Sequence, residues 1–191
     1  MKKQLGAQDI LFPVPAALIV GGTTEKMDVA TIAWVGMVSS TPPTIGVSFD
    51  KRRYTLELIQ ATKEFTVNIP SADLVIETDY CGLVSGRGLN KFTKADLTPI
   101  PSQRIQTPII EECPFNLECR VTQEVQLGDF VLVMGEVVET HIDQDKVFAV
   151  DRDVKIDIAK VNPLVYCPTI REYWSIGNKL GNAFQIGKEL L

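Results

Sequence analysis

Histidine is nearly absent from this sequence, and the signatures of several common enzyme classes are missing with it. The chain of 191 residues contains one histidine, His141, so acid–base catalysis by an imidazole would depend on that residue alone. No Gly-x-Gly-x-x-Gly segment follows a strand-like run, and neither Gly-x-x-x-x-Gly-Lys-Ser/Thr nor Gly-x-Ser-x-Gly occurs. These absences exclude a Rossmann dinucleotide site, a P-loop and a nucleophile elbow. Any chemistry is therefore expected to come from a bound cofactor.

Paired cysteines of the kind that bind zinc are also lacking. Cys81, Cys113, Cys119 and Cys167 include no Cys-x-x-Cys pair, and His141 is remote from all of them in sequence. Because a structural zinc site needs clustered ligands, we predict no metal site and interpret the cysteines as buried or idle free thiols. His141 precedes the polar residues 143–145 and is predicted to lie at the surface.

Long apolar runs and excess positive charge are absent as well. No run of about 18 or more apolar residues occurs, so no membrane-spanning helix is predicted. Gln4, Gln8 and Asp9 interrupt what would be a signal-peptide core. The formal net charge of −5 argues against nonspecific nucleic-acid binding, because such binding neutralises phosphates with many Lys and Arg residues. We expect a cytoplasmic protein with no nucleic-acid or membrane partner.

Short β-type runs dominate what is present. Hydrophobic residues make up 45% and charged residues 23% of the chain, which is typical of a globular protein, and residues 1–191 fit one domain. Gly, Pro or Asp marks the ends of most β-type runs. These runs lie at 17–22, 31–38, 44–49, 65–69, 117–122, 130–138, 146–150 and 164–167. A tight turn is predicted at 126–129, which makes the runs on either side of it an antiparallel hairpin.

Helical signals are fewer than strand signals. Thr55 is predicted to cap a helix through about Thr62, with Leu56, Leu58 and Ile59 on its buried side. Ser71 is predicted to cap a second helix that runs through Asp73 to Cys81 and stops at Gly82. The glycine-interrupted tail, 175–191, predicts a short helix or an extended arm. Many strands and few helices predict a closed or nearly closed β-barrel with helices packed outside it.

Three consecutive cations, Lys51, Arg52 and Arg53, lie between a predicted strand and the predicted helix start. A helix N-terminus already carries about half a positive charge, so cations packed against it favour an anion between them. Phosphate suits this position because free helix N–H groups and Arg both donate to it. On an acidic chain, the cluster indicates a small anionic ligand rather than a polyanion. A solvated basic turn is the alternative interpretation.

Short segments along nearly the whole chain occur in an order typical of a known family. They include Ala30-Thr-Ile-Ala-Trp34, Ser39-Ser-Thr-Pro-Pro43, Lys51-Arg52-Arg53-Tyr-Thr55, Glu64-Phe-Thr-Val-Asn68, Ser85-Gly-Arg87, Lys91-Phe92, Glu118-Cys-Arg120, Gly128-Asp129, Asn162-Pro-Leu-Val-Tyr166 and Tyr173-Trp-Ser-Ile-Gly177. In this order the chain resembles the flavin-reductase-like proteins that bind FMN, especially the flavoredoxin-type branch. The resemblance implies a mainly β, Greek-key split β-barrel with a few peripheral helices. It also implies a homodimer with the flavin near the interface, where the aromatic residues 166, 173 and 174 could cover the ring.

The same resemblance implies where FMN is held. The isoalloxazine ring would lie along the strand that includes 31–41, in contact with Trp34, Met37, Ser39, Ser40 and Thr41. The phosphate grip would map onto Ser48, Lys51, Arg52, Arg53 and Thr55. Arg87 and Lys91, in the loop 85–91, would touch the phosphate or a nicotinamide dinucleotide. Core packing of Trp34 and a mobile, solvated loop remain as alternative interpretations.

One departure from the family pattern bears on activity. Many reductases of the family carry Gly-Asp-His at the hairpin turn, whereas this chain has Gly128-Asp129-Phe130. Phenylalanine can neither donate a hydrogen bond nor titrate, which puts efficient NAD(P)H oxidation in doubt. The resemblance therefore leaves two functions open. One is an NAD(P)H-dependent flavin oxidoreductase, and the other is an electron carrier with tightly bound FMN that serves protein partners.

Overall fold

A seven-stranded antiparallel sheet forms the centre of the molecule. The computed structural model describes residues 1–150 and 153–191. In chain order, the strands are β1 (Val14–Pro15), β2 (Ala17–Thr23), β3 (Lys26–Ile32), β4 (Val35–Ser40), β5 (Pro43–Asp50), β6 (Glu64–Ile69), β7 (Pro99–Ile100), β8 (Ile109–Ile110), β9 (Phe115–Leu127), β10 (Phe130–Ile142), β11 (Val147–Val150), β12 (Asp153–Ile156), β13 (Leu164–Cys167) and β14 (Glu172–Ser175). The α-helices are α1 (Tyr54–Thr62), α2 (Val75–Leu83), α3 (Lys91–Lys94) and α4 (Ile158–Val161).

The central sheet is rolled around one shared core. Its spatial order is β3-β2-β6-β9-β10-β5-β4, and six of these strands contribute to a single buried cluster. Ile19 of β2, Val47 of β5 and Val133 of β10 belong to this cluster, although β2 and β5 lie near opposite ends of the strand order. The mainly β barrel predicted from the sequence is therefore confirmed, and β3 and β4 form the two edges at which it is split.

The predicted hairpin is present and longer than predicted. β9 and β10 pair through most of their length, with Leu127 opposite Phe130. The two residues between them, Gly128 and Asp129, make the turn, and Gly128 has φ +60°, which glycine adopts without a steric penalty. The turn places Phe130 at the start of a strand that faces β5.

The predicted strand 31–38 is wrong as a single element. β3 ends at Ile32 and β4 begins at Val35. β3 pairs with β2, whereas β4 pairs with β5, and one straight strand cannot serve partners on opposite edges of the split barrel. At Ala33 and Trp34 the chain bends from one edge of the barrel to the other. The Ser48 N–H donates to the Trp34 carbonyl at 2.9 Å.

Helix α1 covers the predicted residues but begins differently. Leu56, Leu58 and Ile59 are buried as predicted. Thr55 is not the cap: the N-cap residue is Arg53, which makes no side-chain capping bond. The helix lies tightly against β2 because Gly21 has no side chain, since a Cβ there would be 2.6 Å from Cγ1 of Ile59.

Helix α2 also differs from its predicted limits. A 3₁₀ turn, Ala72–Leu74, precedes it, and Ser71 caps that turn without a side-chain hydrogen bond. α2 then continues one residue beyond Gly82, the predicted stop. Together with α3, it covers the outer face of β2 and β3, where Val20 and Val29 pack in a second buried cluster with Cys81 and Phe92.

The C-terminal tail has little regular structure. A 3₁₀ helix, Ile186–Leu190, is its only regular element after β14 in the described residues. Of the two structures predicted for 175–191, a short helix or an extended arm, the short helix is present over these residues. The predicted strands 146–150 and 164–167 correspond to β11 and β13. No helix in the described ranges is long and apolar enough to cross a membrane.

Candidate functional site

A cleft of about 530 Å³ opens where the split edge of the barrel meets the start of α1. Its walls come from the end of β3, the bend before β4, the end of β5 and the loop that follows α2. Five residues predicted to bind the flavin line it: Trp34, Ser48, Arg52, Arg53 and Lys91. The volume lies within the range of about 300–1,000 Å³ typical of cofactor pockets.

Arg53 is the cation best placed to meet an anion in this cleft. It is half-buried at the N-cap of α1, and its Nη1 donates to the Gly82 carbonyl at 3.1 Å. Among the described residues, no carboxylate forms a salt bridge with it. The first N–H groups of α1 lack acceptors within the helix. Arg53 and the helix end together form an electropositive corner.

Arg52 is engaged by a carboxylate instead. Its Nε lies 2.9 Å from Asp50 Oδ1 and its Nη2 lies 2.6 Å from Asp50 Oδ2. This forked contact holds the pKa of Asp50 well below its usual range, because the guanidinium favours the ionised carboxylate. The Arg52 side chain is 83% exposed. To contact a ligand in the cleft, it would have to break its contact with Asp50.

Lys51 does not line the cleft. It forms an ion pair with Asp129 in the β9–β10 turn, and its backbone N–H donates to the Asp129 carbonyl at 3.0 Å. The pairing lowers the pKa of Asp129. Lys51 therefore fastens the hairpin turn to the end of β5, and the three consecutive cations have three different environments.

An aromatic pair forms one wall of the cleft. The ring centroids of Trp34 and Phe130 are 5.0 Å apart, with an interplanar angle of 42°, a tilted arrangement typical of stabilising aromatic contacts. Trp34 is 40% exposed, so core packing, the alternative interpretation for this residue, is wrong. Both rings offer apolar surface to a flat ligand.

The remaining predicted ring contacts lie on β4 or directly after it. Met37, Ser39, Ser40 and Thr41 are all exposed, and none of them lines the cleft. Ser39 Oγ accepts a hydrogen bond from the Thr41 N–H at 3.2 Å. β4 is an edge strand, so these side chains are available to a ligand or a second chain that lies against this edge.

A buried ion pair forms the floor of the cleft. Asp28 of β3 and Lys91 of α3 are each 3% exposed, and Lys91 Nζ lies 3.2 Å from Asp28 Oδ1. Lys91 also donates to the Val29 carbonyl at 2.5 Å. Thr55 is fully buried, and its hydroxyl donates to Asp28 Oδ2 at 2.5 Å. Lys91 and Thr55 thus face Asp28 in this structure.

Arg87 lies at the rim and contacts α1. It forms an ion pair with Glu57, and its guanidinium carbon lies 5.1 Å from the ring centroid of Tyr54. The Arg87 side chain is 53% exposed. These contacts tie the loop 85–91 to α1. They do not support the alternative interpretation of a mobile, solvated loop.

A smaller hollow of about 280 Å³ adjoins the cleft and shares Arg53 with it. Tyr166 and Tyr173 line the hollow with ring centroids 5.2 Å apart. The Tyr173 hydroxyl donates to Asp79 Oδ1 at 3.1 Å. Burial and this hydrogen bond both raise the pKa of Tyr173.

The single histidine lies outside the cleft and is not a free surface residue. His141 Nε2 is 2.6 Å from Oε1 of Glu118, whose side chain is fully buried. Glu118 also accepts hydrogen bonds from the backbone N–H groups of Gln103 and Arg104, each at 2.7 Å. The predicted surface placement of His141 is wrong, because β10 brings it against this buried carboxylate.

The cysteines follow the prediction more closely. Cys81, Cys113 and Cys119 are buried, and Cys167 is half-buried. Burial raises the pKa of Cys81 to about 12 and also raises the pKa of Cys113 and Cys119. In the described part of the chain, no group of three or more His, Cys, Asp or Glu is arranged to hold a metal ion.

Residues that the sequence analysis did not single out contribute much of the site. Asp28 and Asp50 supply its two carboxylates among the described residues, and Gly86 lies so close to Asp28 that a Cβ would overlap the carboxylate. A charged residue within the apolar strand 26–32 was the one signal available for Asp28. Nothing in the sequence indicated that Asp50 would engage its second neighbour along the chain.

Known proteins resemble this chain in sequence and structure. A family model described as a flavin reductase like domain matches residues 10–175. An uncharacterized protein of Archaeoglobus fulgidus is 40% identical over 139 residues, which are 72% of this chain and 78% of that protein.

Two solved structures match almost the entire fold. The flavoredoxin of Desulfovibrio vulgaris (Miyazaki F) has a TM-score of 0.90 and 32% identity, over 98% of this chain and 100% of that chain. A flavoredoxin from Methanosarcina acetivorans has a TM-score of 0.89 and 30% identity, over 100% of both chains. The chain therefore belongs to the flavin-reductase-like family and has its split-barrel fold.

Proposed function

We propose that this protein binds FMN in the cleft and passes electrons through it. The observation that carries the proposal is the electropositive corner formed by Arg53 and the start of α1. FMN has a phosphate with close to two negative charges near neutral pH. An arginine without a carboxylate partner in the described residues, beside free helix N–H groups, is a donor set that fits this phosphate.

The chain's own residues divide the work of holding the cofactor. Arg53 and α1 bind the phosphate, while Trp34 and Phe130 offer apolar surface to the flavin ring. When bound, FMN supplies the redox chemistry by accepting and releasing electrons.

The contacts of Phe130 favour an electron carrier. Its ring packs on Trp34 and cannot exchange a proton. No histidine belongs to the part of the cleft that the described residues form, and His141 is engaged with Glu118 instead. The similarity to flavoredoxins along the whole chain also supports an electron carrier.

NAD(P)H oxidation is the second candidate function. Arg87 lies at the rim of the loop with its side chain 53% exposed, and its one carboxylate partner among the described residues, Glu57, is also partly exposed. Such surface pairs contribute only about 0–1 kcal/mol. Arg87 can therefore exchange Glu57 for the phosphate of a nicotinamide dinucleotide at little cost.

Reduction of the purified protein in the absence of oxygen tests both candidates. The protein is expected to be yellow and to release FMN on denaturation. Dithionite should bleach the bound flavin at once, and NADH or NADPH should do so slowly if the protein is a carrier. Rapid bleaching by either nucleotide would make it a reductase, and a colourless protein that FMN cannot reconstitute would refute the proposal.

We also propose a homodimer, with the flavin near its interface. Trp34, Met37 and Val38 are exposed along β4 and the bend before it, and Trp174 of β14 is 54% exposed. Apolar and aromatic side chains of this kind are enriched at subunit interfaces. Light scattering coupled to gel filtration measures the mass directly, and a monomer at micromolar concentration would contradict this proposal.

A further inference from the structure

Among the described residues, the charged side chains that line the cleft leave an excess of positive charge only because of Lys91. Two carboxylates, Asp28 and Asp50, are present together with Arg52, Arg53 and Lys91. Arg52 neutralises Asp50 through its forked contact, and Lys91 neutralises Asp28. Of the cations that the described residues place in the cleft, Arg53 then remains unbalanced. Without Lys91, the charge of Asp28 would cancel it.

Asp28 lies unusually close to the corner proposed to bind phosphate. Its Oδ2 accepts a hydrogen bond from the hydroxyl of Thr55, which is in the first turn of α1. Its Oδ1 lies beneath Gly86, where a Cβ would overlap the carboxylate. An unpaired carboxylate at this position would repel an incoming phosphate, and the repulsion would be strong because the surroundings are buried and poorly screened.

Lys91 is held in place by three acceptors. Besides Asp28, it donates to the Val29 carbonyl at 2.5 Å and to the Cys81 carbonyl at 3.4 Å. An ammonium group has three donors, so these contacts use them all. Lys91 is therefore not free to touch a ligand, although the family resemblance implied such a contact.

We propose, on the basis of the function proposed above, that Lys91 is a positioning residue that cancels the charge of Asp28 and so lets the FMN phosphate bind at α1. Asp28 links β3 to α1 through Thr55 and to α3 through Lys91. Lys91 makes that carboxylate compatible with an anionic ligand. The pair thereby sets the preference of the cleft for a phosphorylated flavin over an uncharged one.

Dissociation constants for FMN and for riboflavin test this role, because riboflavin lacks the phosphate. Lys91→Met should weaken FMN binding at least about tenfold and change riboflavin binding by less than about threefold. The double variant Asp28→Asn/Lys91→Met should recover most of the FMN affinity, because it removes both charges. A purely structural role would lower both affinities together and would not be rescued by the second substitution.

The single variant Asp28→Asn decides the question if Lys91→Met does not fold. It leaves Lys91 without its carboxylate, so the ratio of FMN to riboflavin affinity should rise, and an unchanged ratio would count against the inference. A selective loss of FMN affinity in Asp28→Asn would overturn the inference. If the unmodified protein bound neither flavin, the proposed function itself would fail, whereas equal losses for both flavins in Lys91→Met would refute the role of Lys91 alone.

Discussion

Replacing Arg53 with alanine is expected to weaken FMN binding selectively. Arg53 is half-buried at the start of α1 and has no carboxylate partner among the described residues. It makes no side-chain capping bond, so alanine should leave the helix intact. The affected interaction is the contact proposed between its guanidinium and the FMN phosphate.

The expected loss follows from the strength of charged hydrogen bonds. Such bonds contribute about 1.5–3 kcal/mol each, and every 1.4 kcal/mol corresponds to about a tenfold change in affinity. Arg53→Ala should therefore raise the FMN dissociation constant about 10-fold to 150-fold. Riboflavin affinity should change less than about threefold, because riboflavin has no phosphate for Arg53 to bind.

Lys51 provides a matched control within the same run of cations. It pairs with Asp129 and does not line the cleft, so Lys51→Ala should change FMN affinity less than about threefold. Arg52→Ala should have an intermediate effect, because it leaves Asp50 charged beside the cleft.

Titration of the apoprotein, followed by quenching of flavin fluorescence, measures all three variants with both flavins. The reasoning is refuted if Arg53→Ala loses equal affinity for FMN and riboflavin. It is also refuted if Lys51→Ala loses as much FMN affinity as Arg53→Ala.

Three further outcomes are expected. Glu118→Gln should lower the free energy of unfolding in urea by about 2–3 kcal/mol, because it weakens two backbone hydrogen bonds to a buried carboxylate. The control Glu25→Gln, at an exposed residue between β2 and β3, should change it by less than about 0.5 kcal/mol. Similar losses in both variants would contradict the role of the Glu118 carboxylate. In a thiol-reagent assay, the native protein should expose only the half-buried Cys167, with all four thiols reacting after denaturation; fast labelling that persists in Cys167→Ser would be inconsistent with the fold. Phe130→His should speed anaerobic flavin reduction by NADH or NADPH, and an unaltered rate would argue that Phe130 does not limit hydride transfer.

The positions of several strands followed from local patterns. Alternating and apolar runs predicted β2, β5, β6, β9, β10 and β13 because a strand's side-chain period is set by its own residues. The cation cluster beside a helix start was likewise visible, since a helix end and its flanking charges are neighbours in sequence. The bend at Ala33 and Trp34 was missed because it depends on which edge of the barrel each half of the run joins.

The sequence by itself determined a mainly β chain with a cluster of cations at 51–53 that can attract an anion, because both properties depend on residues close together in the chain. Only the tertiary structure decided which cation of that cluster faces the cleft and which are neutralised. Lys51 meets a carboxylate 78 residues away, and Lys91 meets one 63 residues away. Charges separated this far are brought together by the pairing of strands and the packing of helices on them, so no local pattern encodes the balance of charge in the site.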